Sequence, residues 1–491
     1  MNEGSSVTHL LGVLRAELAR YPEGGKLPSS RALMEEHRVS PVTVSRAIAA
    51  LVAEGLVVSR PGAGVFRAGA RAGQRAQGDV SWQEVALSAG PFTHSAADAS
   101  GVLATLAVPP AGSIDLVGGY LHPSLQPERA LAGALARAGR RPGTWDRPPA
   151  EGLAELRAWF ARDIAGPDSA LGDADVLITA GGQSALTTAL RSLVAPGAPV
   201  LVESPTYPGT LAVARAAGLR PVPVPVDADG VRTDLLADAF RVTGARAFVC
   251  QPLFHNPTGV SLSAERRHEV LRIARAAGAF VVEDDFARRL AHADAPALPR
   301  ALAADDPDGV VVHVRSLTKA TSPSLRVGAL TARGPAMDRL RAGQVVDSFF
   351  VPRPLQETAL ELVGSPAWNR HLRALAGALR DRRAAMAEAL HRELPALPVR
   401  VPHGGYHLWV RLPDGTDEAA LAAAALHAGV AVTPGRPYFP AEPSAPHLRL
   451  SYISAVSAEQ LREGVHRLRQ AYDRAAPACR RMDAGGEGST R

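Results

Sequence analysis

Val314 to Gly328 reads VRSLTKATSPSLRVG, and Lys319 within it is one of only two lysines among 491 residues that otherwise use arginine for positive charge. A lysine offers what arginine cannot, a primary amine that sheds a proton and attacks a carbonyl, whereas a guanidinium stays charged. Hydroxyls at Ser316 and Thr318 stand beside it, and Arg326 follows. Four other stretches place polar residues directly after apolar runs. TAGGQSAL puts Gly181, Gly182 and Gln183 at a helix start, where free backbone N–H groups and the positive helix end favour a phosphate. SPTYPG carries Tyr207, HNPTG sets Asn256 before a proline turn, and VVEDDF leaves Asp284 and Asp285 just past a strand.

Singly, each residue has a plain structural explanation: a surface lysine, a core aromatic, a turn glycine, loop acids that are solvated or bind metal. One chemistry uses them together, that of pyridoxal 5'-phosphate held as an imine on Lys319. A carboxylate against the pyridine nitrogen, assigned to Asp284, keeps the ring an electron sink. The helix start at Gly181, Gly182 and Gln183, with Ser316, Thr318 and Arg326, would take the phosphate. Asn256 would meet the 3'-oxygen, and Tyr207 would stack on the ring. The competing reading of SLTK as the S-x-x-K of an acyl-serine enzyme calls for SDN and KTG strings, and neither occurs. No metal site is expected.

Residues in these roles need rigid elements beneath them. DVLITAGGQSALTTALRSLV, PVLVESPTYPGTLAVARAAG, ARAFVCQPLFHNPTG, ERRHEVLRIARAAGAFVVEDDF and GVVVHVRSLTKA alternate apolar strands with helices. That is the pattern of an α/β chain with a mostly parallel sheet, which places its sites at strand ends.

The N-terminus reads differently. VTHLLGVLRAELARY is helical, SSRALMEEH follows PEGGKLPSS, and SPVTVSRAIAALVAEG opens with Ser40 as cap and Pro41 at the first helical position. LVVSRPGAGVFRAG then folds back as two strands, completing a helix-turn-helix with a wing. Early turns of the second helix would enter the major groove, with Ser40, Thr43, Ser45 and Arg46 at bases or phosphates and Ile48, Ala49 and Leu51 packed inward; Arg31 and Arg60 would touch the backbone. Residues 1–75 carry 10 Lys and Arg against 6 Asp and Glu, so four of the six excess positive charges sit here. That is compatible with operator DNA.

Residues 7–68 are expected to form the winged helix, 69–112 a linker, 113–474 the cofactor-binding domain (large part about 165–350, small part about 351–474) and 475–491 a disordered tail. Two cysteines, Cys250 and Cys479, make no disulfide framework, nothing in MNEGSSVTHL is like a signal peptide, and no apolar run spans a membrane, so a cytoplasmic setting is expected.

On LPSSRALM…VSPVTVSRAIAALVAEGLVVSRPGAGVF the head resembles the GntR family of winged-helix regulators. From about Ile114 to Tyr472 the chain resembles the fold-type I, aspartate-aminotransferase-like enzymes, through SPTYPG, HNPTG, EDD, S-x-x-K-x-x-x-P-x-L-R-x-G and HLRLSYI. The last motif puts Arg449 where that family binds a substrate carboxylate. Together they resemble the MocR subgroup of GntR regulators. The resemblance implies PLP-dependent transferase fold type I with a smaller C-terminal α+β domain, and a homodimeric transcriptional regulator controlled by pyridoxal phosphate and an amino compound. The alternative is an active aminotransferase with an appended DNA-binding domain. Phe286 stands where relatives usually carry tyrosine, Ala180 and Gly182 where hydroxyls are frequent, and TWDRPPAEG lacks the tyrosine that reaches a phosphate across a dimer. Slow or absent transamination is therefore expected.

Overall fold

The computed structural model describes residues 3–22, 24–60, 64–68, 98–166 and 171–483, together with 82, 83 and 86. The chain divides into two compact units, Met1–Thr93 and His94–Arg491.

The first unit holds α1 (Glu3–Glu17), α2 (Ser30–His37), α3 (Pro41–Ala53), β1 (Val57–Arg60) and β2 (Gly64–Arg67). Caps fix both short helices: Ser29 accepts from the Ala32 N–H and Ser40 from the Thr43 N–H, the latter at 3.2 Å. Leu10, Leu14, Leu33, Val44, Ala47 and Leu51 close the core. β1 and β2 pair antiparallel from Val57 opposite Arg67 to Arg60 opposite Gly64. The expected wing turn includes residues 61–63, which lie outside the described residues. Lys26, the other lysine, bridges to Phe66 beside this wing.

The second unit opens with α4 (Ser100–Leu106) and β3 (Ile114–Asp115). α4 corrects part of the expected linker: Asp98 accepts from the Ser100 N–H at 3.0 Å, and Gly101 lets the helix lie against Pro208 and Pro437. The remainder of that expected linker lies mostly outside the described residues. Then come α5 (Glu128–Ala138), α6 (Ala154–Ala165), β4 (Val176–Thr179), α7 (Gly182–Leu193), β5 (Pro199–Ser204), α8 (Pro208–Ala216), β6 (Arg220–Asp227), β7 (Gly230–Val231), α9 (Thr233–Thr243), β8 (Ala247–Cys250), α10 (Ala264–Ala277), β9 (Phe280–Asp284), β10 (Val311–Ser316), β11 (Gly328–Thr331) and α11 (Pro335–Ser348). The strands form one sheet in the order β4-β11-β10-β9-β8-β5-β6-β7. β10, β9, β8, β5 and β6 run parallel, while β11 is antiparallel to both its neighbours.

Helices cover both faces, which is why the strands read as unbroken apolar runs. Val200, Val202, Val249, Val282 and Val312 turn one way, onto Leu186, Leu190 and Leu340. Leu201, Phe248, Val281 and Val311 turn the other way, onto Leu156, Phe160, Leu236 and Val270.

α12 (Arg353–Val363), α13 (Pro366–Glu393), β12 (His407–Arg411), α14 (Glu418–His427), β13 (Val430–Ala431), β14 (Thr433–Pro434), β15 (His447–Ser451) and α15 (Ala458–Asp483) complete the chain. β12, β15 and β14 form a small sheet, and β13 pairs in parallel with β3. The smaller layer thus recruits Ile114 and Asp115 from far upstream. α15 runs on to Asp483, into the first residues of the expected tail. No helix among the described residues is long and apolar enough to cross a membrane.

Candidate functional site

The carboxyl ends of β4, β8, β9 and β10 converge on one pocket, lined by Gly182, Gln183, Tyr207, Asn256, Asp284, Ser316, Thr318, Lys319 and Arg326. Residues scattered over more than a hundred positions meet because each follows a neighbouring strand of one sheet. Gly181 sits one residue outside the lining, at the cap of α7, with φ +89. That left-handed backbone suits glycine, and a side chain there would run into the Arg326 guanidinium. Arg326 itself has φ +47 and donates to the Ala180 carbonyl at 2.6 Å. An arginine held in that region carries about 1–3 kcal/mol of strain, of the kind found at ligand clamps. Gly209 explains YPG: any side chain there would collide with the Tyr207 ring.

The adjacent acids part company. Asp285 accepts from Arg315 at 2.8 Å and from Arg288 at 2.6 Å. Burial alone would raise its pKa, but those two cations outweigh it and hold the carboxyl down to about 2. Glu283 on the same side takes the His313 ring at 2.7 Å and the backbone N–H of Leu302 at 2.8 Å. These groups are internally paired beneath the pocket. Asp284 points into the pocket instead, and burial lifts it to about 6 against the opposing hydrogen bond from Gln251. Gln251 donates Nε2 to Asp284 at 2.7 Å and accepts the Asn256 N–H at 3.0 Å, tying two pocket residues together.

A phosphorylated pyridine aldehyde fits this donor set. Thr318 Oγ1 is buried with no hydrogen-bond partner, and Arg326 meets no carboxylate among the described residues. With Ser316 and the unpaired N–H groups opening α7, they form an anion cradle. A carboxyl and an amine, Asp284 and Lys319, line the same pocket. These are the residues that can hold pyridoxal phosphate.

Arg449 is fully buried behind this wall rather than on it. Its Nε donates to Asn256 Oδ1 and one terminal nitrogen to the Val117 carbonyl, both at 3.1 Å. The Tyr406 ring, which lines the pocket, lies 5.1 Å from the guanidinium carbon. Phe286 meets the same tyrosine edge-on, with ring centroids 6.1 Å apart. His407, buried beside Arg449, is held neutral by burial above all. His122 binds Ser124 at 2.8 Å and does not line the pocket. Sequence reasoning missed Tyr120, Leu186 and Gln251, which do. Gln251 directly follows β8, so the strand-end rule that found Asp284 applies to it as well.

In the head, one residue proposed to read DNA faces the wrong way. Thr43 is 5% exposed, its hydroxyl 2.9 Å from Ser40 Oγ. At about 100° per residue Thr43, Val44, Ala47 and Leu51 share the core face. Val42, Ser45, Arg46 and Ala49 share the exposed one, so Ala49 does not pack inward either. Ser40 uses its hydroxyl as the cap. Arg31 is exposed and pairs with Glu35, and Arg60 lies 4.8 Å over the Phe66 ring.

A mixed sheet with amine, carboxyl and anion cradle at its strand ends defines an aminotransferase-type cofactor site, here on the same chain as a winged helix. Residues 117–468 match the family of aminotransferase class I and II, and residues 14–66 match the bacterial regulatory proteins of the gntR family. The chain therefore belongs to the class I and II aminotransferases and carries a gntR-family head, the MocR arrangement. It is similar to the 2-aminoadipate transaminase of Thermus thermophilus, 33% identical over 366 residues, 73% of this chain and 90% of that one. Over nearly its whole length it is similar to two HTH-type transcriptional regulators. YdfD of Bacillus subtilis is 25% identical across 91% of this chain and 92% of its own. TauR of Rhodobacter capsulatus is 29% identical across 92% and 93%. Among solved structures, the α-aminoadipate aminotransferase LysN of Thermus thermophilus, complexed with N-(5'-phosphopyridoxyl)-L-leucine, superimposes with a TM-score of 0.71 at 30% identity, covering 81% of this chain and 100% of that one.

Proposed function

We propose that this chain is a cytoplasmic, homodimeric transcriptional regulator whose DNA binding responds to an amino compound taken up at Lys319. The observation that carries the reading is the presence, in one chain, of a capped reading helix and a pocket that joins Lys319, Asp284, Thr318 and Arg326. Bound there, pyridoxal phosphate supplies an aldehyde that forms imines with primary amines and a ring that withdraws electrons. Lys319 would carry it, Asp284 would hold a proton at the ring nitrogen, and Ser316, Thr318, Arg326 and the start of α7 would orient the phosphate. Tyr207 would cover the ring face and Asn256 would meet the 3'-oxygen.

Phe286 offers that oxygen no hydroxyl. That favours binding over turnover, so an amino compound is held with slow or no transamination. The similarity to transaminases supports the other reading, an active aminotransferase with a DNA-binding module.

The test is a visible spectrum of the purified chain, borohydride reduction with peptide mapping, and duplex binding with and without amino acids. A label on Lys319 and amine-dependent operator affinity are expected. A label on Lys26, or none, overturns the assignment, and rapid conversion to the pyridoxamine form with DNA affinity unmoved establishes the enzyme instead.

A further inference from the structure

Lys319 is not idle when free. Its Nζ donates to the Gly119 carbonyl at 2.7 Å and lies 4.2 Å from the centre of the Tyr120 ring. The Tyr406 ring is farther, at 5.6 Å. The segment presenting these groups is itself clamped. The Gly118 N–H donates to Asp115 at 2.9 Å, Ser451 donates to the Gly118 carbonyl at 2.6 Å, and Arg449 donates to the Val117 carbonyl. Gly119 also packs closely here, since a Cβ on it would meet Lys319 Nζ and the Tyr406 hydroxyl at contact distance, 3.5 Å. The carbonyl and the ring therefore form a preorganised place for one cation.

We propose that Tyr120 and the Gly119 carbonyl receive the Lys319 ammonium after an amino ligand has displaced it, and that Tyr120 thereby sets the affinity for amines. The inference rests on Lys319 being the cofactor's attachment point. In the exchange the nitrogen of the ligand, which enters as an ammonium, forms the double bond to the aldehyde carbon, and the double bond from that carbon to Lys319 breaks. The three hydrogens of the ligand's ammonium end on the lysine nitrogen, which leaves as an ammonium, and nothing is oxidised or reduced. A charge set free in a half-buried pocket is unfavourable unless it is hydrogen-bonded and faces an electron-rich surface. The carbonyl supplies the first and the Tyr120 face the second. Any ligand bearing a primary amine gains or loses affinity by the quality of this receiving place, whatever its other end. Tyr120 is thus a positioning residue that acts through Lys319.

The experiment uses the full-length, cofactor-loaded chain titrated with ethylamine, a primary amine without a carboxylate, and follows the visible absorption of the bound cofactor. Tyr120→Leu should raise the ethylamine dissociation constant about two- to thirty-fold, the span of a cation–π contact from exposed to desolvated settings. Tyr120→Phe, which keeps the ring face, should stay within about two-fold of the wild type. Tyr120→Met provides the same comparison if the leucine variant does not fold. Unchanged affinity in the leucine or methionine variant overturns the proposal, as does equal weakening in the phenylalanine variant. Wild-type protein that takes no borohydride label on Lys319 overturns the attachment itself, which separates that failure from a failure of Tyr120.

Discussion

Asp284 and Asp285 show how one sheet edge gives neighbouring carboxyls opposite tasks. Asp284 is raised by burial to about 6 from an ordinary 3.8. Between those values the folded chain binds more protons than the unfolded one, so its stability falls as pH rises through that window and stays lower above it. Asp284→Asn should therefore raise the melting temperature of cofactor-free protein near pH 8 and change it little near pH 4. With cofactor bound the gain at pH 8 should vanish, because the ring nitrogen then lacks its counter-charge. Asp285, held down by its arginines, adds stability above its ordinary pKa that is lost as pH falls toward about 2. Asp285→Asn leaves the buried Arg315 with Asp163 as its remaining carboxylate partner and should cost up to about 3–5 kcal/mol at neutral pH, read from denaturant unfolding. At Phe286, restoring tyrosine should raise the rate of a single half-reaction with an amino acid more than it raises amine affinity. Equal changes in both would remove the missing hydroxyl as the cause of slow turnover.

Elements convert these side chains into sites. α3 begins with Ser40 and Pro41, and from that phase Arg46 and Ser45 are set outward with Val42 and Ala49, while Thr43 is set inward. Arg46→Ala should weaken binding to a duplex selected by the protein by about 1–3 kcal/mol and relax preference at one base pair, as expected of a guanine contact. Thr43→Ala should lower the head's stability by about 0.5–1.5 kcal/mol through the lost hydrogen bond and leave base preference intact. Fluorescence anisotropy on a panel of single-base variants separates the two outcomes. A preference that shifts with Thr43 and not with Arg46 would reverse the assignment of faces.

At the scale of the molecule, the proposed homodimer has a surface to test. Trp145 is 82% exposed, and Val346 and Phe349 at the end of α11 are exposed as well. The loop carrying Trp145 borders the start of α12, since a Cβ on Gly143 would stand 3.7 Å from Arg353. Large apolar groups left in water are where a second copy would pack. Trp145→Glu combined with Phe349→Glu should shift the cofactor-loaded chain from dimer to monomer in light scattering. A wild-type chain that is already monomeric would dispose of the dimer.

The sequence alone determined the chemistry. An arginine-rich chain that keeps one lysine between SLT and P-x-L-R, and sets its acids, asparagine and glycines after apolar runs, specifies an imine-forming cofactor site, because only a primary amine forms the bond and only strand ends present such residues together. It also determined the head, where caps, turn and wing follow in order. Phase and partnership were decided by the tertiary structure. Thr43 turned inward because helical rotation about a particular core is not fixed by the residues of α3 alone. Tyr120 entered the pocket because the segment after β3 was folded against Lys319 from a distant part of the chain. Arg449 meets Asn256 and the Tyr406 ring because β15 and the residue before β12 are brought against the large sheet. Residue types carry the reaction a site can perform, but which groups stand between them is a property of packing, and packing is settled only when remote segments compete for the same volume.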